Sequence, residues 1–277
     1  MNYQNNSISF KIIKSFIPIC IPLIVGNIYL LLLVSIKNIW FAIDGQSGAI
    51  NIIALLENNI AAGTATCSLP LYLMLYKKDI QQREKKRKEK INIFLISSIL
   101  FIAVISSISI NNIIEISNIG KLFPNYIEVL SELYTSNIAL DIIGLGVLVP
   151  LAEELLFRGI LYQRAKGMID KKAAAFLISI LFGIYHGNVV QGIFAFVLSL
   201  LIIFIMEESG SIVGAILFHI GANITAVIFE NMQIHRKLYS QLDETLFLVI
   251  IVLEGVVMIM SIYLFQKIIK KGKMNCP

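Results

Sequence analysis

Residues 173–206 read AAAFLISILFGIYHGNVVQGIFAFVLSLLIIFIM, thirty-four consecutive positions without Asp, Glu, Lys or Arg. A helix crossing about 30 Å of hydrocarbon needs roughly 20 residues. The run is too long for one ordinary span and just long enough for two short ones, hinged near His186, Gly187 and Asn188. Water is a poor solvent for such a stretch; a bilayer is a good one.

Working outward, further runs of the same kind mark further spans. Residues 15–36, 58–76 and 91–114 lack charge, the second extending back through Glu57 to about Gly48. Ile138 to Phe157 is apolar apart from Asp141, Glu153 and Glu154. Ser209 to Phe229 follows the opening run, then Leu246 to Phe265 despite Glu254. These make eight expected helices: an all-α, polytopic membrane helix bundle. The chain of 277 residues reads as a single integral-membrane domain, 1–277, whose core helices at 138–230 carry the polar motifs. The first run is too long for a signal-peptide core and lacks a small-residue cleavage site, so it reads as retained. A transmembrane β-barrel would need many alternating segments of about ten residues, and these runs are apolar all round.

Composition excludes other classes. The chain is 57% hydrophobic and 15% charged, with a mean hydropathy of +0.81, whereas soluble domains run about 45–50% apolar and about 25% charged. An ordinary soluble enzyme, a disordered segment and a nucleic-acid-binding module are all disfavoured. The net charge of +5 reports topology. Residues 77–90, KKDIQQREKKRKEK, hold eight basic residues in fourteen, and basic loops stay on the cytoplasmic side. That places Lys11, Lys14, Arg164, Lys166, Lys171, Lys172, Lys267, Lys270, Lys271 and Lys273 inside. Only Lys37, Lys121, Arg236 and Lys237 fall outside. The expectation is a multi-pass protein of the cell membrane, both termini cytoplasmic, with no nucleic-acid partner. Cys20, Cys67 and Cys276 have no metal or redox spacing.

Polar residues inside the membrane are costly and are functional candidates by default. Three clusters occur in the second half of the chain. Glu153-Glu154-Leu155-Leu156-Phe157-Arg158 follows Pro150; Glu154 and Arg158, four apart, face each other on a helix, and Glu153 is rotated away toward another partner. Phe182-Gly183-Ile184-Tyr185-His186-Gly187-Asn188 is the second. Phe218-His219-Ile220-Gly221-Ala222-Asn223 is the third, with His219 and Asn223 on one helical face. Two carboxylates, an arginine, two histidines and an asparagine can activate a water and stabilise an oxyanion. Glu and His are also zinc ligands; a metal-dependent version would use Glu153, His186 and His219, although no His-Glu-x-x-His helix is present. On straight helices His186 lies roughly 20 Å into the membrane at about 1.5 Å per residue. Glu153, near the cytoplasmic end of its span, must therefore be drawn inward by a kink or tilt at Pro150. Small residues at Gly144, Gly146, Gly183, Gly187, Gly210 and Gly214 suit close helix packing.

In order and spacing, these motifs resemble those of the CPBP group, the CAAX prenyl protease 2-like and bacteriocin-processing (Abi) intramembrane endopeptidases. The pattern is Glu-Glu-x-x-x-Arg, Phe-x-x-x-His and His-x-x-x-Asn on successive helices, met here between about Asp141 and Glu230. The resemblance implies that Glu153 and His186 activate the attacking water, that His219 and Asn223 form the oxyanion site, and that Glu154 and Arg158 support the geometry. It implies a peptide or membrane-protein substrate in the lipid bilayer, with roles in peptide maturation or bacteriocin self-immunity; no cofactor is expected from the residues, with a divalent metal such as zinc as the alternative. The alternative is a non-catalytic membrane protein for peptide binding, immunity or transport. Transporters often show two related halves, and residues 1–137 contain no counterpart of the three motifs.

Overall fold

A computed structural model describes residues 13–44, 60–81, 92–135 and 137–274. The expected extension of the second span over residues 48–57, most of the basic loop at 82–90, and Lys11 and Cys276 lie outside the described residues.

The described chain is all-helical. We number its helices α1 (Ile21–Asp44), α2 (Ile60–Gln81), α3 (Ile93–Ser117), α4 (Pro124–Leu133), α5 (residues 138–166), α6 (Lys171–Tyr185), α7 (Val189–Ser209), α8 (Ile212–Asn231), α9 (Ile234–Gln241) and α10 (Glu244–Met274). Two further short helical turns precede α1 and α4. Five segments are long and apolar enough to cross a membrane: Ile13–Trp40, Ile93–Ser117, Val189–Ser209, Ile212–Asn231 and Glu244–Lys271. The other three expected spans are helical but fall outside that criterion. α6 has only 15 residues, α2 contains Pro70 and several small polar residues, and α5 is interrupted by charge and by wide turns. The result is a multi-pass membrane protein in which five spans stand on length and composition alone.

The outer helices show what solvates them. On α1, Leu23, Leu31 and Leu32 are exposed, and on α10 so are Val252, Ile259 and Leu264. Surfaces so rich in exposed apolar side chains suit acyl chains. Cys20 and Cys67 are free and also exposed. The core gathers around α5, whose residues from Leu155 to Tyr162 are all buried. α2, α6 and α8 pack on α5, α3 packs between α8 and α10, and α6 and α7 form a hairpin.

The hinge between α6 and α7 falls where the sequence places it. α6 ends at Tyr185, Gly187 takes a left-handed φ of 66°, and the Asn188 side chain accepts from the N–H groups of Val190 and Gln191, capping α7. The hairpin closes at glycines: a Cβ on Gly183 would lie 2.7 Å from the Gly192 carbonyl oxygen, and one on Gly192 would lie 2.9 Å from that of Gly183. Close packing at Gly183, Gly146 and Gly214 agrees with expectation, since a Cβ at any of them meets a neighbour within 3 Å. Gly187 and Gly210 instead serve as turn residues with positive φ.

α5 reaches inward by a different device from the expected kink. Two π-helical turns, Ile142–Leu148 and Leu155–Leu161, flank the short α-helical segment Val149–Glu154. Pro150 lacks an N–H, and its ring crowds the carbonyl four residues back. A wide turn just before it, with Val149 N–H bonded to the Gly144 carbonyl, relieves the crowding. Such π-bulges also re-aim the side chains that follow.

At one end of the bundle, ion pairs tie helix termini together. Arg164 donates to both oxygens of Asp79 and to the Ser15 carbonyl, and Lys166 and Lys171 share Glu207. These are the chain ends expected to share the cytoplasmic face. At the opposite end, buried Asp141 accepts from the Thr135 backbone and hydroxyl and from Asn231.

Candidate active site

The helical spacing of Glu154 and Arg158 makes the pair expected from the sequence. Arg158 Nη1 donates to Glu154 Oε1 at 2.8 Å, with both side chains fully buried. The guanidinium also lies over the Phe182 ring, 4.3 Å from its centroid, a cation–π contact. Phe182 is the hub of the site. Its ring meets Phe157 edge-on, with centroids 4.9 Å apart, and His186 at 4.8 Å.

Tertiary packing adds contacts that spacing did not announce. His219, from α8, places Nδ1 2.7 Å from Glu154 Oε1 and Nε2 3.6 Å from Glu153 Oε2. An ionised carboxylate only accepts, so Nδ1 carries the proton and Nε2 faces Glu153. One imidazole thus bridges both glutamates. His186 sits at the C-terminus of α6 with Nδ1 2.8 Å from the Phe182 carbonyl oxygen. A carbonyl also only accepts, which fixes the Nδ1–H form and leaves the Nε2 lone pair free when the ring is neutral. Asn223 Nδ2 donates to the Leu145 carbonyl at 3.0 Å, leaving its second hydrogen for another acceptor.

Glu153, His186, His219 and Asn223 line one cavity of about 550 Å³. Glu154 and Arg158 stand behind it, holding His219 and Phe182. All six candidates therefore belong to one assembly, four on the cavity wall and two in support. Apolar side chains, including Ile110, Ile114, Val129, Leu130 and Leu198, line the same cavity. Tyr72 and Ser68 from α2 also line the polar end, and the motifs gave no warning of them. The available signal was a Ser-x-x-x-Tyr pair at helical spacing around Pro70.

The residues named for a metal-dependent version, Glu153, His186 and His219, line the same cavity. Among the described residues no three of His, Cys, Asp and Glu come together as a metal-holding group.

An all-helical, multi-pass membrane protein with a carboxylate–histidine site in its interior is the class these features define. Residues 135–225 match the family model described as Rce1-like, type II CAAX prenyl endopeptidase, the family that the three motifs resemble. The matched residues make up a third of the chain, and all six site residues fall within them. No curated protein and no solved structure matches the chain.

Proposed function

We propose that the protein is an intramembrane endopeptidase that hydrolyses a peptide bond with a water activated by Glu153 and His186. The observation that carries this reading is the convergence of Glu153, His186, His219 and Asn223 on one cavity inside an apolar bundle. Glu153 accepts the proton of the attacking water, and the free Nε2 of His186 holds that water in line. Asn223, through its uncommitted hydrogen, and His219 Nε2–H donate to the carbonyl oxygen as it becomes an oxyanion. Glu153 then returns the proton to the departing amine. Arg158 offsets the buried charge of Glu154, the carboxylate that also holds His219, where an uncompensated charge would cost several kcal/mol.

The substrate is a peptide or membrane protein that enters from the bilayer with an apolar group against the cavity's apolar lining. The setting is the cell membrane with both termini cytoplasmic, and the process is peptide maturation or bacteriocin self-immunity. The test is cleavage of a quenched fluorescent peptide library by the purified protein in detergent. Glu153→Ala and His186→Ala, folded as judged by thermal melting, are expected to lose activity, and a chelator is expected to leave the wild-type rate unchanged. Cleavage undiminished in both variants would refute the mechanism.

A further inference from the structure

The polar end of the cavity holds a hydroxyl that none of the three motifs supplies. Tyr72 is 2% exposed and lines the cavity together with Glu153. Its helix, α2, packs on the Val149–Glu154 segment, on which α8 also packs. His219 thus approaches Glu153 from α8 and Tyr72 from α2, and the phenol lies within the field of the Glu153 carboxylate. The Tyr72 hydroxyl is enclosed, and its interaction with the Ser68 hydroxyl one turn earlier falls outside good hydrogen-bonding geometry, so neither oxygen is well satisfied among the described residues. A buried hydroxyl left unpaired costs about 1–3 kcal/mol, and phenylalanine would fill the same volume without that cost. The oxygen at this position has a use.

Counting donors suggests which one. His219 Nδ1 is committed to Glu154, its Nε2 faces a carboxylate, and Asn223 has given one hydrogen to Leu145. A developing oxyanion needs well-placed donors. A phenol carries its proton at neutral pH and depends on no neighbour for it. We propose that the Tyr72 hydroxyl donates a hydrogen bond to the carbonyl oxygen of the bond being cleaved as that oxygen gains negative charge. The inference rests on the peptidase reading above. In that reaction the water oxygen bonds to the carbonyl carbon, the carbon–nitrogen bond breaks, and the water proton reaches the amine through Glu153. Tyr72 keeps its proton throughout.

The test compares wild type, Tyr72→Phe and Glu153→Gln on one cleavable peptide. Loss of an oxyanion donor lowers kcat by about 100-fold, while KM should change by less than roughly threefold because the bond forms chiefly in the transition state. A phosphonate mimic of the tetrahedral intermediate should lose affinity for Tyr72→Phe, while an uncleavable parent peptide should not. A purely structural tyrosine would not split the two ligands in this way. Incorporation of 3-fluorotyrosine at position 72, which keeps the hydroxyl, is expected to retain turnover. If the phenylalanine variant does not fold, a fluorotyrosine series of graded acidity decides: a kcat that varies across it supports the proposal, and a flat kcat overturns it. Full kcat in Tyr72→Phe beside an inactive Glu153→Gln overturns the role of Tyr72 alone. Equal activity in wild type and Glu153→Gln overturns the peptidase reading and this proposal together.

Discussion

Glu154 Oε1 accepts from Arg158 Nη1 at 2.8 Å and from His219 Nδ1 at 2.7 Å, so one oxygen links the buried charge to the cavity wall. Removing the charge by Glu154→Gln strands Arg158 in the core. Breaking one side of a buried pair costs about 3–5 kcal/mol, and thermal unfolding in detergent should show a loss of that order. The double change Glu154→Gln with Arg158→Met should recover much of it. A single variant as stable as wild type would show that the pair is not coupled as described. At this scale the sequence was readable where partners lie on one helix: Glu154 and Arg158 meet because they are four apart. The His219 bridge, the Phe182 plate beneath Arg158 and the approach of Tyr72 each join different helices. No spacing rule reports such contacts.

The elements carry two further predictions. A methyl group at Gly183 would press on the Gly192 carbonyl at 2.7 Å and on Phe196 Cβ at 3.4 Å. Overpacking of this kind costs about 1–3 kcal/mol, and the α6–α7 hairpin must open to accept it, moving His186 three residues on. Gly183→Ala is therefore expected to lower both melting temperature and turnover; an unaffected variant would contradict the close crossing. Between the spans, α9 is held by His235, whose Nδ1 lies 2.7 Å from Asn112 Oδ1, while Asn112 donates to Glu254 at 2.8 Å. Burial pulls the His235 imidazole down to about 4. Above the unfolded value of about 6.5, both folded and unfolded states are neutral and pH has no effect through this group. Between about 6.5 and 4 only the unfolded state takes the proton, so stability falls by about 1.4 kcal/mol per pH unit. Melting at pH 7 and pH 5 should show the loss, and His235→Gln should remove that component. The helix hinge at His186–Asn188 was legible because Gly and Asn punctuate an apolar run. The π turns of α5 were not, since a wide turn leaves no mark in hydrophobic periodicity, and Pro150 alone suggested a kink.

For the whole molecule, composition named the solvent correctly and charge named which helix ends lie together. Arg164–Asp79 and the Lys166 and Lys171 pairs with Glu207 join those ends. The number of spans was harder to read. Around a polar cavity, helices shorten and acquire charge, so α2, α5 and α6 depart from the apolar 20-residue pattern that counting relies on. The cavity itself sets a prediction about selectivity. Its apolar lining includes Leu130 and Ile114, and Leu130→Trp should fill part of the space beside them. For a peptide bearing a long apolar group, KM should rise roughly tenfold, the order of discrimination an apolar pocket gives. A short polar peptide should be cleaved as before, and equal effects on both would mean the apolar lining does not hold substrate.

The most direct test is mass spectrometry of products formed in ¹⁸O-labelled water by the protein reconstituted in lipid vesicles, wild type beside Glu153→Gln. The wild type is expected to release a peptide whose new carboxyl group carries one ¹⁸O atom, and the variant to release none at a detectable rate. Labelled product appearing equally fast from Glu153→Gln, or no product from the wild type with any peptide of the library, would contradict a water-activating glutamate at the heart of this bundle.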